Sequence, residues 1–255
     1  LATIEFRPQI SHLSLEGRSL GDLKGLVRVS KEGLAFKGTR LARAGGVIRI
    51  DGAMGLDSPH PVDGFVELER LPAPALVSLV RPGPPPRFLD GLLGGQIRAR
   101  GSLDNPDLEF RVGFADLKLG GQDFEEGGAL GRFRNGAWEL DLFEARMGPG
   151  WIFAKGSISA ALDLDLMAYS TGLRESSFVG LKPWREKLDF RIDVHTTVRG
   201  PLLSPALEGW AKVYDTHLLK RRVADSFVST RATTEFVQVA GHFFGKAAKL
   251  DGRME

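Results

Sequence analysis

The residues best placed to do chemistry are few, and each has a plainer role available. Asp189, Arg191, Asp193 and His195 alternate with Leu188, Phe190, Ile192 and Val194, so a proton relay along one strand face is conceivable. The same period-two spacing describes a solvated row of surface charges, and that is the reading adopted. His12, His60, His217 and His242 are scattered, without the His-x-x-x-His or His–carboxylate spacing of a metal site. Asp163 and Asp165 share a strand face, as paired acid–base carboxylates would, but Ser and Ala neighbours mark a wet strand edge. Gly241-His-Phe-Phe-Gly245-Lys246 has three residues between its glycines and Ala247 after the lysine, which does not make a phosphate loop. Lys220-Arg221-Arg222 reads as a basic hairpin corner serving solubility, with contact to anionic headgroups as the alternative. The expectation is no catalytic residue, no metal and no cofactor: not an enzyme.

Composition narrows the classes further. The 255 residues carry 34 Lys+Arg against 32 Asp+Glu, a formal charge of +2, so bulk charge implies no nucleic-acid partner. With no cysteine, disulfides, thiolate catalysis and Cys-ligated metals are excluded. Hydrophobic residues at 42% indicate a chain able to fold, and 32 glycines far exceed the usual ~7%. No apolar run approaches the ~18 residues that a membrane-spanning helix needs. There is no initiator Met and no signal peptide, and the chain reads as an internal piece of something longer.

Any functional groups must be positioned by strands. Leu108, Phe110, Val112 and Phe114 alternate with Glu109, Arg111, Gly113 and Ala115; Trp138, Leu140 and Leu142 alternate with Glu139 and Asp141. Ile158, Ala160, Leu162, Leu164 and Leu166 interleave with serines and aspartates in the same way. Leu23, Val27, Val29, Val66 and Leu68 extend the pattern to the front half. Period-two alternation with one apolar face indicates antiparallel strands, dry on one side and wet on the other. Two stretches interrupt it. Pro72–Val80 suits a short helix entered through proline and stopped by Arg81-Pro-Gly-Pro-Pro-Pro86. Residues 170–186, with Leu173, Phe178, Leu181 and Trp184, form the second, and each suits a helix or lid across the end of a sheet.

The chain also repeats. Arg100-Gly101-Ser-Leu103-Asp-Asn-Pro106-Asp-Leu108-Glu109 returns as Arg199-Gly200-Pro-Leu202-Leu-Ser-Pro205-Ala-Leu207-Glu208, six identities at an offset of 99. Gly33 to Gly52 aligns with Gly136 to Gly156, and Lys249-Leu-Asp-Gly252 resembles Arg49-Ile-Asp-Gly52. The expected organisation is one continuous repetitive sheet with units at about 1–100, 101–199 and a partial 200–255.

The element G-x-L-x-x-P-x-L-E, at Gly101, Leu103 and Pro106 and again at Gly200, Leu202 and Pro205, resembles the repeats of the AsmA-like and translocation-and-assembly-module (TamB-like) proteins of diderm bacteria. The resemblance covers most of the chain, without a membrane anchor at the start or an aromatic-ended terminal segment. It implies a long, twisted, U-shaped antiparallel open sheet with a greasy inner face, part of an inner-membrane-anchored protein reaching across the periplasm. It further implies phospholipid transport between inner and outer membranes, or a part in outer-membrane protein assembly.

The expectation is therefore an all-β chain whose apolar face shields lipid acyl chains. The lining residues would be Leu108, Phe110, Val112, Phe114, Trp138, Leu140, Leu142, Ile158, Leu162, Leu164, Leu166, Leu188, Phe190, Ile192 and Val194. Gly101, Pro106, Gly200 and Pro205 would form repeated turns. The partners would be phospholipid acyl chains, neighbouring segments of the same longer chain and outer-membrane assembly proteins. Two alternatives stand beside this one: a scaffold that binds outer-membrane strands by edge addition, and a ligand-free β-sandwich repeat of a surface protein.

Overall fold

A computed structural model describes residues 3–15, 18–80, 89–184, 186–245 and 248–254. The Arg81–Pro86 run and Lys246 lie outside the described residues. The protein is all-β: its strands are antiparallel and belong to an open sheet that is not closed into a barrel. Contacts divide it into two compact units, Leu1–Gly120 with Gly128–Gly136, and Gly121–Gly127 with Ala137–Glu255.

The first unit begins with β1 (Ile4–Phe6) and β2 (Gln9–Leu15), both paired with β3 (Arg18–Val29). A meander follows through β4 (Gly33–Arg43), β5 (Gly46–Gly55) and β6 (Pro61–Pro72). Helix α1 (Ala73–Val80) separates β6 from β7 (Leu89–Ser102), which pairs with both β6 and β8 (Pro106–Leu119). Strand β9 (Gln122–Arg134) contributes its first residues to the second unit and the rest to the first. The strand ends at Pro72, and the helix starts in the alanine–leucine run behind it with Pro74 in its first turn, where the missing N–H would be unpaired anyway. It lays Ala75 and Leu76 on Leu41, Ile48, Leu68 and Leu71 and seals the apolar face there.

The second unit runs through β10 (Ala137–Met147), β11 (Gly150–Ile158) and β12 (Asp163–Arg174), each paired with the next. Two 3₁₀ turns, Glu175–Ser177 and Val179–Trp184, lead to β13 (Leu188–Pro201) and β14 (Ala206–Leu218). A two-residue strand β15 (Arg221–Arg222) folds back on β14, which pairs further along with β16 (Ser226–Ala232). β17 (Val237–Phe243) and β18 (Ala248–Met254) complete the ladder. The 3₁₀ segment caps one end of the sheet: Phe178 stacks on Phe190 at 6.5 Å, and Ser177 Oγ donates to the Met147 carbonyl at 2.7 Å. Ala145, Met147, Leu173 and Phe190 are buried there.

Bulges punctuate both ladders, and three of them share a device. The N–H of an extra residue with positive φ donates to an aspartate on the next strand: His12 to Asp22 Oδ1 at 2.9 Å, Gly38 to Asp51 Oδ1 at 2.6 Å, and Gly172 to Asp193 Oδ1 at 2.9 Å. The carboxylate satisfies a donor that the interrupted ladder leaves unpaired.

The turns that the sequence singles out have matching geometry. Gly101 and Gly200 both sit at φ +94, where a Cβ would be strained, and Pro106 and Pro205 stand at the entry to β8 and β14. In the first, Leu103 N–H donates to His60 O at 3.0 Å; in the second, Leu202 N–H donates to Leu162 O at 2.9 Å. A second bond spans each loop, Asn105 N–H to Ser102 O and Ser204 N–H to Pro201 O.

Candidate functional site

Side chains directly opposite in an antiparallel ladder share a face, so the registers trace each face strand by strand. In the first unit one row runs Leu23, Leu41, Ile48, Leu68, Gly95, Val112. A second runs Thr39, Ile50, Val66, Ile97, Phe110, and a third Phe36, Gly52, Gly64, Ala99, Leu108. Phe114 closes the face opposite Leu93. Its one cation in these registers, Arg43, lies at the rim, where its guanidinium reaches Ser78 Oγ of α1 at 2.7 Å and the Ser19 carbonyl.

The second unit presents the same chemistry. Leu140, Gly156, Leu166, Val198, Leu207, Ala232 and Val237 stand in one row across seven strands. Beside it run Ala145, Ile152, Ser170, Val194, Ala211, Val228 and Gly241. Trp138, Ile158 and Leu164 form a row at one margin; Leu173, Ile192 and Val213 lie toward the other, with Phe190 and Leu188 further along β13. These registers bring no charged side chain onto the face. Burial along it is uneven. Phe190 and Leu164 are buried, Leu140, Leu166 and Val194 are half-buried, and Trp138 is 46% exposed. Only twelve apolar residues are buried among the described residues, and most lie under α1 or the 3₁₀ segment. A face covered by a second layer would bury nearly all of its large side chains, so most of this face has no such cover.

Two of the expected lining residues are placed differently. The alternation Trp138, Leu140, Leu142 runs into a bulge: Asp141 and Leu142 together oppose Lys155, and the face resumes at Phe143 opposite Ala154. Leu162 is not in a strand. It closes the turn between β11 and β12, with φ +63, its N–H bonded to Ser159 O at 2.9 Å and its side chain 55% exposed. The apparent strand from Ile158 to Leu166 is two strands and a four-residue turn. The sequence pattern ends the face at Val194, whereas Val198 extends it along β13, and Val213, Val228 and Val239 carry it on through β14, β16 and β17. In β14 the face passes through Gly209 and Ala211, and β16 and β17 are only seven residues long, so the alternation that would have shown it is weak.

No family model, curated protein or solved structure matches this chain.

The opposite face is charged, and it holds a feature that the sequence hid. Phe153, Tyr169, His195 and Trp210 are successive partners across β11, β12, β13 and β14. The Phe153 and Tyr169 rings stack at 4.9 Å, His195 and Trp210 at 5.9 Å, and Phe227 extends the stack from Trp210 at 6.1 Å. His195, read from sequence as one of a solvated row, thus stacks on Trp210 and stands opposite Tyr169 in the ladder. Around this stack lie ion pairs such as Arg199–Asp165 at 3.1 Å and Arg191–Asp215 at 3.7 Å. Asp165 therefore pairs with a guanidinium rather than with Asp163. Tyr214 O–H donates to Asp193 Oδ1 at 3.2 Å, and burial, then the Asp193 charge and this bond, raise its pKa above the ordinary phenol value. Among the described residues no group of three or more His, Asp or Glu side chains is arranged to hold a metal ion.

Proposed function

We propose that this chain is a segment of a bridge-like lipid-transfer protein, non-enzymatic, whose apolar sheet face shields phospholipid acyl chains between two membranes. The observation that carries the reading is the uncharged row structure of the apolar face together with its exposure. A row such as Leu140–Val237 crosses six inter-strand steps, roughly 29 Å at ~4.8 Å each. One leaflet of a bilayer is about 15 Å of hydrocarbon, so a single acyl chain fits along the rows of one unit. The free energy at stake is large. Each CH₂ brought into water costs about 0.8 kcal/mol, on the order of 10 kcal/mol for a long chain. A continuous apolar track removes that barrier without any chemistry.

The resemblance noted in the repeat element supports reading this segment as part of an inner-membrane-anchored protein in the periplasm of a diderm bacterium. The test is to purify the chain gently, extract it with organic solvent and identify bound lipid by mass spectrometry, in parallel with native mass spectrometry. Co-purified phospholipid in near-stoichiometric amount is the expected result. A lipid-free chain that instead captures outer-membrane β-strand peptides would replace this reading with the assembly-scaffold one.

A further inference from the structure

The end of the second unit that carries the 3₁₀ segment also carries a compact patch whose composition the groove does not explain. The β14–β15 hairpin pairs Leu218 with Arg221 and His217 with Arg222, and its two turn residues are Leu219 and Lys220. The turn is tied to the 3₁₀ segment: Leu219 N–H donates to Lys187 O at 2.7 Å, Lys187 N–H donates to Trp184 O at 2.9 Å, and Lys187 Nζ lies 5.7 Å from the Trp184 ring centre.

Two features of the patch are costly. First, Leu219 and Lys220 hold φ +51 and +65, the geometry of a two-residue turn that Asn-Gly adopts easily and a leucine does not. Second, large apolar groups face water here, Leu219 at 64% exposed, Trp184 at 55% and Leu218 at 43%. Interleaved with them are four cations, Lys187, Lys220, Arg221 and Arg222, none of which pairs with a carboxylate among the described residues. Of the nearby acids, Asp189 faces Arg174 at 3.9 Å and Asp215 faces Arg191 at 3.7 Å, which leaves Glu186 and Asp225 against four positive charges.

We infer that this patch docks on the surface of an anionic lipid bilayer, with the cations against headgroup phosphates and Leu219 and Trp184 seated at the acyl boundary. Charge alone would suit any polyanion. The exposed leucine decides between them: a bilayer has an apolar layer beneath its phosphates, whereas a nucleic acid offers none at that depth. Strain at Leu219 then has a use, since it holds an apolar side chain out where a stable turn residue would be polar. The inference stands apart from the groove reading, because it concerns the unit's end and not its apolar face.

The experiment is flotation of the 255-residue chain with vesicles of phosphatidylglycerol and phosphatidylcholine, compared with phosphatidylcholine alone and with a fluorescent duplex oligonucleotide. The expected result is binding to the anionic vesicles only, weakening as salt rises. The double variant R221E/R222E should lose at least about 25-fold in vesicle affinity, at roughly five-fold for each cation removed. Leu219→Asn should melt at the same or a higher temperature, since asparagine tolerates positive φ, yet bind vesicles several-fold more weakly. Equal binding to neutral vesicles, unchanged binding by R221E/R222E, or duplex binding as tight as vesicle binding and indifferent to Leu219→Asn would each overturn the inference. Bound phospholipid extracted from the groove is expected to be the same in every variant, so the two readings fail separately.

Discussion

One substitution made at two places discriminates the covered part of the apolar face from the rest. Leu71, fully buried under α1, and Leu140, half-buried in the second unit's apolar face, are both leucines on antiparallel strands. Leu71→Asp leaves a cavity worth about 2–5 kcal/mol and strands a carboxyl group away from water for a further ~1–3 kcal/mol. The sum, about 5 kcal/mol, is comparable to the entire ~5–15 kcal/mol stability of a domain, so this variant should be largely unfolded or insoluble. Leu140→Asp loses the part of a leucine's ~1.5–3 kcal/mol transfer energy that its incomplete burial realises, about 2 kcal/mol, and the new charge reaches solvent across the open face. That shifts a urea midpoint by about 1 M. The assay is urea unfolding by tryptophan fluorescence, followed by lipid extraction of the folded variant. Leu140→Asp should be folded with much less bound phospholipid. If it unfolds as Leu71→Asp does, the face is a closed core and the reasoning fails. If it folds and carries lipid unchanged, its row is not part of the track.

Trp210→Ala removes the centre of the His195–Trp210–Phe227 stack and should cost about 1–2 kcal/mol in urea unfolding while leaving bound lipid unaltered, since the stack lies on the charged face. Gly156→Ala would bring a Cβ to 2.0 Å from the Asp165 carbonyl oxygen at φ +140, and we expect a loss of about 3 kcal/mol or more, read as a fall in melting temperature. Because the folded pKa of Tyr214 is raised, its contribution to stability is complete below pH 10 and is lost as pH rises through the folded value. Tyrosinate absorbance at 295 nm should show Asp193→Asn moving that titration back down toward the ordinary range, and an unchanged curve would mean that burial alone sets it.

The fold class was legible because one apolar face and one wet face leave a period of two along every long strand, as in Leu108–Phe114 and Leu188–Val194. The short helix over Ala73–Val80 was legible from Pro72 and the alanine–leucine run that follows it. Bulges and tight turns were not. Leu142 and Leu162 continue an alternation by residue type alone, and only the ladder reveals an extra residue opposite Lys155 or a four-residue turn before Asp163. The aromatic stack was invisible for another reason. Phe153, Tyr169, His195 and Trp210 are separated by 15 or more residues, and each looks like an isolated ring on a polar face until register lines them up. The basic corner was visible as charge, but its leucine at positive φ belongs to backbone geometry that no residue count conveys.

The bulges carry a consequence for how such a chain tolerates editing. A single-residue insertion in a strand ordinarily inverts every side chain beyond it, turning the greasy side out. At Asp141–Leu142 the second unit absorbs an odd residue locally, and Phe143, Ala145 and Met147 come back into phase with Leu140. Excising Leu142 would restore an unbroken ladder, with Asp141 against Lys155 and Phe143 still against Ala154. Each aspartate-bonded bulge likewise holds one extra residue without changing which way its strands face. A sheet furnished with such joints drifts in length and keeps its two sides distinct, so insertions and deletions in relatives of this chain should gather at these positions and spare the stretches between them.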